Sequence, residues 1–173
     1  MAHWEHEFSS FFARTPVKRV IVTHMHPDHV GQAEWLTQHC DVELWMTHTE
    51  FLACKVIAGD GPSDVPEDAV RFYHQCGFDK RQIDLYRQRF GRFGAMIEKL
   101  PVGYRQIRDD DALDINGVQW RMVVGRGHSP GHACLYCAEL GILIFGAQVL
   151  PRISSSVSVF PTEPHADPLG EFL

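Results

Sequence analysis

Thr23-His24-Met25-His26-Pro27-Asp28-His29 follows directly on the apolar run Val20-Ile21-Val22. Three histidines and one aspartate fall within six residues. The apolar run predicts a buried strand, which puts the four polar side chains at its C-terminal end, where the chain turns into a helix. Open α/β sheets place their ligands there. Imidazole and carboxylate are ligands for zinc and similar cations. His24 and His26 are two apart and project to one side of an extended segment. Asp28 and His29 come from the turn and reach a second point nearby. The alternative is a surface loop that happens to be rich in histidine, and the coincidence of spacing with a preceding strand argues against it.

The run resembles the HxHxDH motif of the metallo-β-lactamase superfamily, and the likeness extends from about Val17 to the C-terminus. It is nearer to uncharacterised bacterial hydrolases of that superfamily than to its antibiotic-degrading members. Gly127-His128-Ser129-Pro130-Gly131-His132 resembles the superfamily's second histidine motif. By that match His128 joins His24 and His26 in a three-histidine site, and His132 lines the pocket or hydrogen-bonds. Three protein ligands leave a fourth position for water, as in catalytic zinc sites. The resemblance therefore implies a metal-bound hydroxide at neutral pH that attacks a small-molecule ester, lactone or phosphoester. Asp28 would orient or deprotonate the water, or ligate a weak second metal with His29. Zinc, one ion per chain, is the first expectation; iron or manganese fit the same ligands.

Three departures from the superfamily pattern matter. A strand ending in Gly-Asp supplies a bridging aspartate in the family, and the matching pair here is Gly146-Ala147. The family's last histidine belongs to a further segment, and the opening strands before Val17 have no counterpart. His165 and Asp167 are the candidates to complete a second site. The expected fold is α/β, a partial metallo-β-lactamase αββα sandwich with a helical insertion, shortened at both ends. Trimmed sheets expose strand edges, so a homodimer through those edges is expected. Two other functions stay open: a metal-binding but catalytically weak fragment serving as an interaction or structural module, and a mononuclear iron dioxygenase acting on a sulfur substrate.

Composition sets outer bounds. At 173 residues one domain over 1–173 is expected, with a first metal-motif half at 17–58, a helical insertion at 59–103 and a second half at 104–173. Hydrophobic residues make up 45% and charged residues 22%, ordinary for a globular protein. A formal charge of -6 gives no footprint for nucleic acid or an anionic membrane. No bilayer-spanning run or signal-peptide pattern is read, and a cytoplasmic location is expected. The five cysteines, Cys40, Cys54, Cys76, Cys134 and Cys137, have no framework spacing and read as free thiols. Cys134 and Cys137 form a C-x-x-C inside a strand, where they point to opposite faces.

The remaining pattern predicts elements. A short helix spans 3–13, with Trp4, Phe8, Phe11 and Phe12 on one face and His3 and His6 solvated. After a strand at 17–22, Asp28 caps a helix running to about His39. A strand at 42–46 precedes a helix capped by Thr47. Residues 59–66 are loop, then helices fall at about 66–76 and 79–99, forming either a lid with an aromatic pocket or an ordinary hairpin on the sheet. Strands at 113–115 and 118–124 flank Asn116-Gly117, a hairpin signal. Strands at about 133–138 and 141–146 follow, then a coil tail in which Asp167-Pro168 opens a last helix.

Overall fold

A computed structural model describes residues 2–10, 12, 15–59 and 64–173. Helix α1, Ala2–Ser10, is followed by strand β1, Val20–Ile21. Two short helices come next, α2, Pro27–Val30, and α3, Ala33–Cys40, then strand β2, Leu44–Thr47, and helix α4, His48–Gly59. Helices α5, Glu67–Gln75, and α6, Lys80–Arg89, lead to strand β3, Arg105–Ile107. Strands β4, Ala112–Ile115, β5, Val118–Gly125, β6, His132–Cys137, and β7, Ile142–Ile144, precede helix α7, Pro168–Phe172.

The strands form two sheets. β1, β2 and β3 pair in parallel, in that order. β4 to β7 form an antiparallel meander. Alternation along the strands explains the stacking. Leu44 and Met46 face the helices and bury with Val22, Val30, Ala33, Phe51, Cys54 and Leu100. Ile21 and Trp45 point the other way and pack against Ile107, Leu113, Met122, Ala133 and Leu135 of the second core. The result is a layer of helices on a parallel sheet, itself on an antiparallel sheet. Fully burying a side chain such as Leu44 contributes about 1.5–3 kcal/mol, so this alternation fixes which face of β2 carries the helices.

Several boundaries differ from expectation. The expected strand at 17–22 is regular only at Val20–Ile21, although the Val22 N–H still donates to the Trp45 carbonyl. The single helix expected from Asp28 to His39 is two. His26, not Asp28, is the N-cap of α2, and Pro27 follows it, a position where a missing N–H costs nothing. Thr47 does not cap α4; its hydroxyl donates to the Gly131 carbonyl. The helix expected over 79–99 ends at Arg89, because Gly91 takes a φ of 67°. α6 begins with a capping box between Asp79 and Gln82.

The helical block builds a core of its own. Val65, Ala69, Val70 and Ile83 bury there with Tyr73, Phe78, Tyr86 and Phe90 packed around them. Its aromatics pack into the interior of this hairpin, as ordinary helical faces do. The Asn116-Gly117 turn joins β4 to β5 with φ of 54° and 82°, the left-handed pair of a type I′ hairpin. Asp167 accepts from the Gly170 N–H and opens α7. Strand β7, an edge of the antiparallel sheet, leaves Ile142, Leu143 and Ile144 between 44% and 48% exposed. In α1, Phe8 packs on Trp35 and His39 and His6 is exposed; Phe11, Ala13 and the side chain of His3 lie outside the described residues. Among the described residues no helix is long and apolar enough to cross a membrane, and all five cysteines are free.

Candidate metal centre

The end of β1 delivers the first loop and the turn between β5 and β6 delivers the second. The Ala133 N–H donates to the Thr23 carbonyl at 2.8 Å, which ties the two together at their base. Above that tie three imidazoles converge. His24 Nε2 lies 3.0 Å from His26 Nδ1 and 3.2 Å from His128 Nε2. Among the described residues, the potential ligand atoms of His24, His26 and His128 all fall within 4.8 Å of one another. Four tetrahedral ligands at about 2.0–2.1 Å from a zinc ion stand about 3.3 Å apart, so the spacing suits a single small cation.

Hydrogen bonds set the tautomer of His128. Its Nδ1 lies 2.8 Å from the Ser156 carbonyl, which can only accept. It also lies 2.8 Å from Ser155 Oγ, whose own proton goes to the Ala147 carbonyl. Nδ1 therefore carries the proton, and the Nε2 lone pair points at His24. Partners behind a ligand commonly fix its tautomer in this way in metal sites. Burial holds the His24 imidazole down to about 2, with the neighbouring His132, His29, His26 and His128 adding to the effect. Burial, then His128, also lowers His26, against the pull of Asp28. Neutral imidazoles are the form that binds cations.

Asp28 and His29 border this cluster without joining it. The Asp28 carboxylate is 80% exposed and lies 3.5 Å from His29 Nε2. The His29 ring packs against His24, centroid to centroid 4.2 Å. The structure thus brings His24, His26 and His128 to one point and leaves Asp28 and His29 as a pair at its rim. His132 is fully buried and stacks on His24. Its Nε2 accepts from the Ala147 N–H at 3.2 Å, and its Nδ1 faces Cys134 Sγ at 3.5 Å. Both ring nitrogens are engaged, which leaves no lone pair for an ion. Burial holds His132 down to about 4. His165 is exposed and Asp167 accepts from the Gly170 N–H; neither belongs to the three-histidine cluster.

Two contributors escape a reading of the sequence. One is the Ser155–Ser156 tail behind His128. The other is Glu50, fully buried in the first turn of α4, whose carboxyl is raised by burial. Thr47-x-x-Glu50 has the spacing of a local capping box, which hides its real use: both side chains reach across to the second loop.

The sequence profile described as the Metallo-beta-lactamase superfamily matches residues 2–170. The chain belongs to that superfamily. A crystal structure of a beta-lactamase domain protein from Burkholderia ambifaria is 37% identical, with a TM-score of 0.83, over 99% of this chain and 48% of its own. The metallo-beta-lactamase family protein TTHA1429 from Thermus thermophilus is 26% identical, with a TM-score of 0.66, over 90% of this chain and 48% of its own. Among curated proteins, the Bacillus subtilis (strain 168) protein named "Probable metallo-hydrolase YflN" is 24% identical over 136 residues, which is 78% of this chain and 45% of YflN. The chain spans about half the length of these relatives. The mixed α/β layers match the metallo-β-lactamase fold of these neighbours.

Proposed function

We propose that the chain is a metal-dependent hydrolase acting on an ester, lactone or phosphoester. The observation that carries the proposal is the convergence of His24, His26 and His128 from two separate loops, with the His128 lone pair aimed inward by Ser156. Those three residues would hold one divalent cation, zinc first and iron or manganese as alternatives. Such a cation supplies Lewis acidity and brings the pKa of water towards about 7. On this reading Asp28, 3.5 Å from His29 Nε2, would take up a proton at Oδ2 and release it to solvent. Its exposure suits exchange with bulk water. The similarity of the chain to the protein named "Probable metallo-hydrolase YflN" supports the reaction class.

The deciding experiment measures the metal-to-protein ratio with the element identified, alongside hydrolysis of ester, lactone, phosphodiester and phosphotriester substrates. We expect about one ion per chain, since three histidines make one site. Turnover should vanish with chelator and return with zinc. A purified chain that takes up no divalent metal would sink the proposal.

A second reading has a specific observation behind it. Ala147 presents a methyl group and gives its N–H to His132, while Asp28 and His29 lie outside the ligand cluster. On this reading the chain binds one metal, catalyses weakly and serves as an interaction or structural module. Full metal content with no turnover on any of the four substrate classes would favour it.

A further inference from the structure

The groups that hold the two histidine loops in register belong to neither loop. Gly131 is gripped on both of its backbone groups. Its N–H donates to Glu50 Oε1 at 2.7 Å, and its carbonyl accepts from Thr47 Oγ1 at 2.7 Å. The other carboxylate oxygen, Glu50 Oε2, accepts at 2.9 Å from the N–H of Met25, the residue between His24 and His26. One buried side chain thus spans the first loop and the second. A Cβ on Gly131 would meet Thr49 Oγ1 at 2.3 Å, so a larger residue there would have to turn the Thr49 side chain aside. Burying a carboxylate is unfavourable unless its oxygens are bonded. An apolar residue would pack more simply beside Phe51 and Cys54 in the first core. Packing therefore does not account for an acid at this position, whereas bridging two amide donors does.

We infer that Glu50 is a positioning residue for the candidate metal centre, its carboxylate setting the separation of loop 23–29 from loop 127–132. The lone pairs of His24, His26 and His128 then converge before any ion arrives. The inference rests on the three-histidine reading. Glutamine shows why both oxygens matter. In Glu50→Gln one amide oxygen still accepts from Met25 or from Gly131, but the NH2 group faces the other N–H, donor against donor. One loop must move away, and ligand nitrogens 3.0 and 3.2 Å apart lose their common centre. Glu50→Asp keeps both acceptor oxygens but shortens the side chain by one methylene, so the carboxylate no longer reaches the N–H groups of Met25 and Gly131 together.

The test titrates Co2+ into the metal-free chain and into both variants, reading the visible absorption of the bound ion, with circular dichroism to verify folding. Glu50→Gln should bind Co2+ about 10–100-fold more weakly than the parent, the range usual for partners behind a ligand. At saturating Co2+ its absorption bands should shift, because the ligand geometry has changed; a merely structural role would lower stability and leave the bands alone. A folded Glu50→Gln with parental affinity and spectrum overturns the inference. If Glu50→Gln does not fold, Glu50→Asp decides: weaker binding with a shifted spectrum supports the inference, and parental behaviour overturns it. A parent chain that takes up no Co2+ is a different failure, since it removes the three-histidine reading itself.

Discussion

Acid should unfold the metal-free chain earlier than its surface charges alone dictate. His24 and His132 have folded-state values held to about 2 and about 4, against 6.5 in the open chain. Below pH 6.5 the unfolded chain binds protons that the folded chain refuses. The stability these two groups contribute is therefore complete above pH 6.5 and is lost as pH drops, down to about 4 for His132 and about 2 for His24. Between pH 7.5 and 5.5 each such histidine removes about 1.4 kcal/mol, about 2.7 kcal/mol for the pair. His26 is shifted in the same direction and adds to the loss. Glu50 opposes it, because burial raises its carboxyl and acid relieves that cost. The balance is roughly 2–3 kcal/mol, or a melting temperature about 5–10 °C lower at pH 5.5 for a chain of this size. Thermal melts in chelator at the two pH values measure it. His132→Gln, which still offers an oxygen to the Ala147 N–H, should remove close to half of the difference. A melting temperature that is flat or rises on acidification would refute the reasoning.

Three further outcomes are expected. His26→Ala should lose metal retention, measured as metal per chain after gel filtration; full metal content in that variant would discredit the site. Ala147→Asp adds a carboxylate next to the Ala147 N–H that His132 holds; it should raise both the metal count and the hydrolytic rate, and no change in either would show that Ala147 is not what limits the site. Gly127→Ala should cost about 1–3 kcal/mol in denaturant unfolding, since Gly127 sits at φ +85° and a Cβ there would come within 2.3 Å of the Pro168 carbonyl at the start of α7.

Much of this site could be read from residue types and spacing because its parts are local. His24 and His26 are two apart on a strand end, and Asn116-Gly117 turns where its chemistry requires. The apolar run through Leu44, Trp45 and Met46 marks a strand, and β2 is there. What stayed hidden depends on contacts between distant segments. Asp28 and His29 carry the right donor atoms, but the turn of α2 aims them at each other. Thr47 and Glu50 satisfy a local capping pattern on paper, and only the arrival of Gly131 beside them gives them another use. The aromatic spacing of α5 and α6 could not distinguish a pocket from a self-contained core, because both require the same periodicity.

The bonds from His128 to Ser155 and Ser156 make the coil after β7 a thermodynamic accessory of the centre. Whatever frees residues 155–156 lets the imidazole rotate about its own axis and turns its lone pair elsewhere. Linkage runs both ways: an ion that demands the inward orientation also favours the docked tail, by the same free energy with which the docked tail favours the ion. A segment with no regular secondary structure thereby takes part in setting how tightly the centre closes.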